Sequence, residues 1–138
     1  MTATTTAREA KRKDGQIISY PMAAVKIPKG ALVNINSSGY ATNSTDAASE
    51  TFAGVAYETV DNSAGNAGDL SIRVETTGTF VFVDSGGNGA QTDVGVEFKI
   101  SDNQTVTDSA TTNNIKAGIA VESISATSVR IRIDRYAS

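Results

Sequence analysis

The sequence has 138 residues, a formal net charge of −3, and no histidine, cysteine or tryptophan. That length suits one domain with a substantial core. Without cysteine there is no disulfide or thiolate chemistry, and without histidine there is no imidazole base and no Ser-His-Asp triad. The composition therefore argues against most enzymes, and we expect neither catalytic residues nor a cofactor.

The basic residues are concentrated at the start of the chain. Residues 1–29 hold six basic and two acidic residues, a net charge of +4, whereas residues 30–138 hold six basic and thirteen acidic residues, a net charge of −7. A basic segment on an acidic body favours contact with an acidic partner, and a solvated start is an equally good interpretation. The basic cluster consists of Arg8, Lys11, Arg12 and Lys13.

Residues 1–14 begin with a low-complexity Thr/Ala run, and the helix-prone segment AREAKRK at 7–13 is too short to form a helix that stands alone. We expect them to form an extended basic N-terminal arm, and residues 15–138 to form a single domain. The arm has no apolar run of the kind that a secretion signal or a membrane span needs. This pattern predicts synthesis in the cytoplasm and no membrane partner.

Three segments after the arm alternate apolar and polar residues with a period of two: DLSIRVE at 69–75, GVEFKIS at 95–101 and SVRIRID at 128–134. Such alternation is typical of antiparallel strands with one buried face, and Gly- and Asn-rich turns separate the segments. We therefore predict an all-β fold, a small antiparallel barrel or sandwich. The predicted core face consists of Leu70, Ile72, Val74, Val96, Phe98, Ile100, Val129, Ile131 and Ile133.

The segment GTFVFV at 78–83 differs because both of its faces are apolar. One interpretation is a central strand that is buried on both sides. The other is that one face packs against a neighbouring subunit, because a small domain has few ways to cover both faces. Phe80, Val81, Phe82 and Val83 are therefore the candidate subunit interface.

The sequence also contains an internal similarity. FAGVAYETV at 52–60 resembles KAGIAVESI at 116–124, and the segment from Gly30 resembles the segment from Gly95, at separations of 64 and 65 residues. This pattern predicts two pseudo-repeated halves of one closed or nearly closed barrel. In that arrangement Gly54 and Gly118 mark sites where a strand bends or another backbone comes close.

The remaining motifs do not form a catalytic or metal site. The segment DSGGNGAQTD at 84–93 has the residue types of a calcium loop, but Gly86 and Gly95 stand where an EF-hand needs ligands, so a flexible connection is the better interpretation. The basic cluster lacks the aromatic residues that stack on bases. We expect no metal, no nucleic acid and no small-molecule substrate. We expect Arg130, Arg132 and Arg135 to pair with acidic residues across the sheet or on a neighbouring subunit.

Residues 15–133 resemble the small capsid decoration, or cement, proteins of tailed bacteriophages. The resemblance rests on the order DGQIISYPMA, IPKGALVNI, FAGVAYETV, GDLSIRVETTGTFVF, VGVEFKI, KAGIAVESI and VRIRI. It implies a β-barrel-like protein that commonly forms a homotrimer and binds the major capsid protein. It also implies a place on the outer surface of an expanded icosahedral head, where the protein clamps neighbouring capsomers, and it carries over no catalytic residues.

Two other classes of protein stay open at this point. A carbohydrate- or receptor-binding β module of a virion fibre or cell surface would need an exposed aromatic platform, for which the sequence offers Tyr40, Tyr57 and Tyr136. A head–tail or tail-tube component would assemble as a six-fold ring.

If the chain is a decoration protein, we expect the basic residues of the arm at 1–14 to pair with carboxylates of the capsid.

Overall fold

The computed structural model describes residues 2–7, 15–86 and 90–134. Within these ranges it contains strands and one short 3₁₀ helix at Gln91–Asp93, and no α-helix, which confirms the all-β prediction. The strands are β1 (Ile17–Pro21), β2 (Lys26–Ile27), β3 (Leu32–Ile35), β4 (Ala41–Asn43), β5 (Thr51–Ala56), β6 (Val60–Asp61), β7 (Ser71–Glu75), β8 (Thr79–Asp84), β9 (Glu97–Ile100), β10 (Thr105–Thr107), β11 (Lys116–Ser125) and β12 (Ser128–Arg132).

The strands form two main sheets that follow each other along the chain. Residues 17–75 supply a five-stranded antiparallel sheet in the order β1-β7-β5-β3-β4, and β2 and β6 pair separately with each other. Residues 79–132 supply a closed barrel in the order β10-β8-β12-β11-β9.

The barrel contains one parallel pair, between β8 and β10, where Thr105 lies opposite Val83 and Val106 lies opposite Asp84. The sequence pattern predicted antiparallel neighbours only. A closed ring of five strands cannot alternate direction throughout, because the number is odd, so one pair has to be parallel. The first sheet has a similar parallel contact, a single bridge between Met22 and Ala41.

The core consists mainly of the residues that the alternation predicted. Ile72, Val74, Phe98, Ile100, Val129, Ile131 and Ile133 are all buried. Leu70 and Val96 are exposed, which corrects the prediction for both. The reason is that β7 begins only at Ser71 and β9 only at Glu97, so these two residues belong to the preceding turns.

The two sheets share part of their core. Leu32, Phe52 and Val55 of the first sheet belong to the same buried cluster as Phe98 and Ile131 of the barrel. Burial of large apolar side chains of this kind is the main stabilising contribution to a fold.

Polar contacts connect the same two regions. The Asp46 carboxylate accepts hydrogen bonds of 3.0 Å from the backbone N–H groups of Thr112 and Asn113. The backbone N–H of Leu32 donates to the carbonyl oxygen of Asn103 at 2.8 Å. The Asp46 bonds hold the loops at 44–50 and 108–114 against each other, and the Leu32 bond joins β3 to the segment that follows β9.

Gly54 and Gly118 both lie at strand irregularities where a second backbone comes close, as the sequence predicted. A Cβ atom at Gly54 would collide with the carbonyl oxygen of Glu75, and one at Gly118 would collide with that of Arg132. Only glycine fits where backbones approach to this degree. The internal repeat as a whole stays a prediction.

Candidate functional site

Strand β8 presents different residues to the two sides of the barrel wall. Phe82 is buried in the core, and Phe80 packs against that core with its ring centroid 6.4 Å from that of Phe82. Val81 and Val83 point outward and are 45% and 42% exposed. The two phenylalanines therefore contribute to the core of the barrel, Phe80 while half-buried, and the two valines are the most accessible of the four residues.

The outward valines lie beside a surface ion pair. Val81 is opposite Arg130 on β12, and Arg130 is opposite Glu122 on β11. The Arg130 Nε is 3.0 Å from Oε1 of Glu122, which confirms the expectation that Arg130 pairs with an acid. Arg132 on the same strand lies 3.8 Å from the carboxylate of Asp134.

A second surface ion pair lies on the first sheet. Arg73 on β7 binds Glu58 through two side-chain hydrogen bonds, from Nε to Oε2 and from an Nη atom to Oε1, each 3.1 Å long. These bonds lower the pKa of the Glu58 carboxyl because they stabilise its ionised form. The guanidinium also lies 5.1 Å from the centre of the Tyr57 ring, within cation–π range.

More apolar side chains are exposed on the outside of the barrel. Val94, Val96, Val121 and Ile124 join Val81 and Val83 among the large apolar residues that remain accessible. The sequence analysis did not single out Val94, Val121 or Ile124. Two register shifts in the pairing of β11 with β12 interrupt the alternation around Val121 and Ile124, and such shifts depend on the partner strand.

The described surface is acidic. Residues 2–7, 15–86 and 90–134 contain seven basic and thirteen acidic side chains, a net charge of −6. Five of the seven basic residues take part in ion pairs: Arg73, Lys99, Lys116, Arg130 and Arg132. The predicted binding residues Arg8, Lys11, Arg12 and Lys13 lie outside the described residues.

A cavity of about 350 Å³ lies where β5 and β11 approach each other. Its walls include the side chains of Phe52, Ile115 and Ile133 together with Lys116 and Asp134. Lys116 pairs with Glu97 at 3.3 Å. The lining thus combines apolar side chains with charged ones.

The described ranges contain neither a cluster of metal ligands nor a membrane-spanning helix. No group of three or more acidic side chains there is arranged to hold a metal ion. No helix in those ranges is long and apolar enough to cross a membrane. Of the three tyrosines of the carbohydrate hypothesis, Tyr57 contacts Arg73, Tyr40 lies against Gly68, and Tyr136 lies outside the described residues.

Together these features define an all-β protein whose barrel exposes apolar side chains next to surface ion pairs. A family model described as phage cement protein matches residues 12–135. The chain therefore belongs to the phage cement protein family, a family of capsid decoration proteins. Comparisons with curated proteins and with solved structures gave no significant match.

Proposed function

We propose that this chain decorates the outer surface of an icosahedral phage head and stabilises it by bridging neighbouring capsomers. The observation that carries the proposal is the family match over residues 12–135. The direct partner is the major capsid protein, and the chain is made in the host cytoplasm before it joins the virion. It has no enzymatic role in this proposal.

The proposed assembly on the head is a homotrimer. Val81 and Val83 supply apolar surface on the outside of the barrel, and burying such surface between subunits favours association. Phe82 lies in the core and Phe80 is half-buried against it, so the two valines supply most of the accessible apolar surface of this proposed interface.

The proposed contact with the capsid uses the basic N-terminal arm. Arg8, Lys11, Arg12 and Lys13 pair with capsid carboxylates, while the domain itself carries the negative charge described above. A single exposed ion pair contributes only about 0–1 kcal/mol. Several pairs in each chain, repeated over a trimer, make the binding much stronger than any one of them.

The test is binding to purified heads assembled from the cognate major capsid protein, before and after expansion. We expect the full chain to sediment with expanded heads and not with unexpanded heads. Deletion of residues 1–14 should reduce occupancy at least about tenfold, because it removes the proposed charge pairs. Circular dichroism of the truncated chain should still show a folded β protein.

A control variant separates charge from length. Replacing Arg8, Lys11, Arg12 and Lys13 with Gln keeps the arm but removes its charge, and it should weaken binding as the deletion does. Replacing Lys26 and Lys29 with Gln, outside the arm, should leave occupancy unchanged. Full occupancy by the truncated chain would refute the role of the arm, and failure of the full chain to bind either kind of head would refute the decoration function.

A further inference from the structure

Two of the surface ion pairs, Arg73–Glu58 and Arg130–Glu122, occupy corresponding positions in the two sheets. Glu58 and Glu122 are 64 residues apart, the same separation as Gly54 and Gly118. Their arginine partners also correspond, because Arg73 lies on β7 opposite Ser19 of β1, and Arg130 lies on β12 opposite Val81 of β8. We call Tyr57, Glu58 and Arg73 the first face, and Val121, Glu122 and Arg130 the second face.

The strand arrangement supports this correspondence. The first sheet has the order β1-β7-β5-β3-β4, and the barrel, read from β8, has the order β8-β12-β11-β9-β10. In both orders the third strand, β5 or β11, carries a glycine that lies against the backbone of the second strand, β7 or β12. The parallel bridge of Met22 to Ala41 corresponds to the parallel pair of Asp84 and Val106. Each arginine lies on the second strand of its arrangement, Glu122 lies on the third, and Glu58 lies two residues beyond the end of the third.

Packing does not explain why both faces carry the same charged pair. The other identities between 52–60 and 116–124 are buried alanines and the two glycines, which the core requires. The ion pairs are on the surface, with the Arg73 side chain 55% and the Glu122 side chain 57% exposed. Such pairs contribute little to folding.

Each face offers the same chemistry to a partner. The ionic distances are 3.1 Å in the first face and 3.0 Å in the second. Each has an exposed apolar neighbour, Tyr57 in one and Val121 in the other, both 40% exposed. A cation and a carboxylate beside an apolar side chain fit a partner surface with the opposite order of charges.

We propose that the two faces bind two copies of the same capsid subunit, one copy on each face, so that a single chain bridges them. This inference rests on the proposed decoration function and adds the surface that performs the bridging. One chain then holds two neighbouring subunits without relying on a second decoration chain. Loss of one face converts a two-site attachment into a one-site attachment.

The experiment measures binding of charge-reversal variants to the expanded heads described above. Arg73→Glu and Arg130→Glu should each weaken binding by about 100-fold, because either removes one of two linked contacts. The double variant should bind more weakly than either single variant, because only the proposed contacts of the arm remain. Lys116→Glu is the matched control, since it breaks a similarly exposed ion pair outside both faces, and it should bind as the wild type does.

A charge swap distinguishes binding from a purely structural role. Glu122→Arg combined with Arg130→Glu restores an ion pair within the chain but reverses the charges that a partner meets. We expect this variant to recover the melting temperature of the wild type and still to bind weakly. Recovery of binding would show that the pair acts only within the fold, and would overturn the proposal.

Two other outcomes also overturn it. Wild-type binding by both single variants would show that neither face contacts the capsid. A defect in only one of them would show a single contact and no bridging by one chain. All these outcomes require that the wild type binds expanded heads, so they differ from failure of the decoration function, in which the wild type itself does not bind.

Discussion

Individual polar residues inside this protein are buried only where their hydrogen bonds are satisfied. The Asn34 side chain is fully buried, accepts a bond from the Ser44 hydroxyl at 2.8 Å, and donates to the Thr45 carbonyl and to Glu50. Within the described residues, every buried side-chain nitrogen or oxygen atom has a partner. An unpaired group there would destabilise the fold. The sequence did not mark Asn34, because its partners come from other loops.

The environment of Asp93 disfavours the ionised form of its carboxyl group. Desolvation raises the pKa of its carboxyl, and the negative charges of Asp108 and Asp84 raise it further. The charged form is thus less favourable in the folded than in the unfolded protein. The resulting loss of stability develops as the pH rises above the ordinary range of an Asp carboxyl, and it is complete at neutral pH.

Asp93→Asn should therefore raise the melting temperature at pH 7. The difference from the wild type should disappear at a pH low enough to protonate Asp93 in both states, because both side chains are then neutral. Calorimetry between pH 3 and pH 7 measures both effects.

Asp61→Asn provides a control of opposite sign. Hydrogen bonds from Ser63 lower the pKa of the Asp61 carboxyl. This substitution should reduce the melting temperature at pH 7. If Asp93→Asn also reduced it at pH 7, the proposed repulsion among the three aspartates would be wrong.

At the scale of single strands, the period-two pattern predicted most of the buried faces correctly. It succeeded within β7, β9 and β12, because alternate side chains of a strand point to opposite faces. It was wrong for Leu70 and Val96, which lie immediately before the first residues of β7 and β9. The position where a strand begins depends on its neighbours in the sheet, which the local pattern does not contain.

The glycine in β11 is a strong test of the strand arrangement. Gly118→Ala should reduce the free energy of unfolding by about 3 kcal/mol, because the new methyl group meets the carbonyl of Arg132 and the side chain of Ile131. Chemical denaturation measures this value.

Gly15→Ala is the matched control for that substitution, since no atom lies within 4 Å of the position that a Cβ atom would take there. It should stay within about 1 kcal/mol of the wild type. Equal stability of the two variants would contradict the close approach of β11 and β12.

At the scale of the whole molecule, ring closure determines which surface is free. The barrel covers Phe82 and leaves Val81 and Val83 outside, although all three belong to one apolar segment. The sequence left two interpretations of this segment open. The structure shows one face in the core, while the proposed trimer contact through the other face stays a prediction.

Val81→Ser combined with Val83→Ser should weaken trimer formation at least about tenfold, because it removes apolar surface from the proposed interface. Light scattering after size-exclusion chromatography, over a range of concentrations, measures the association. Ile17→Ser combined with Leu70→Ser, which alters exposed apolar residues on β1 and immediately before β7, should leave association unchanged. An unaltered trimer in the first variant would place the interface elsewhere, and a wild type that stays monomeric would contradict the trimer.

The amino-acid sequence by itself determined the chemical limits, the all-β class and the family resemblance. All three follow from which residues are present and from their local alternation. Composition and local alternation do not depend on contacts between distant segments. Only the tertiary structure decided that β8 and β10 pair in parallel, that Val81 is free while Phe82 is buried, and that Glu58 meets Arg73 as Glu122 meets Arg130. The physical reason is that strand partners and their register arise from closure of the sheets, which brings together residues far apart in the chain.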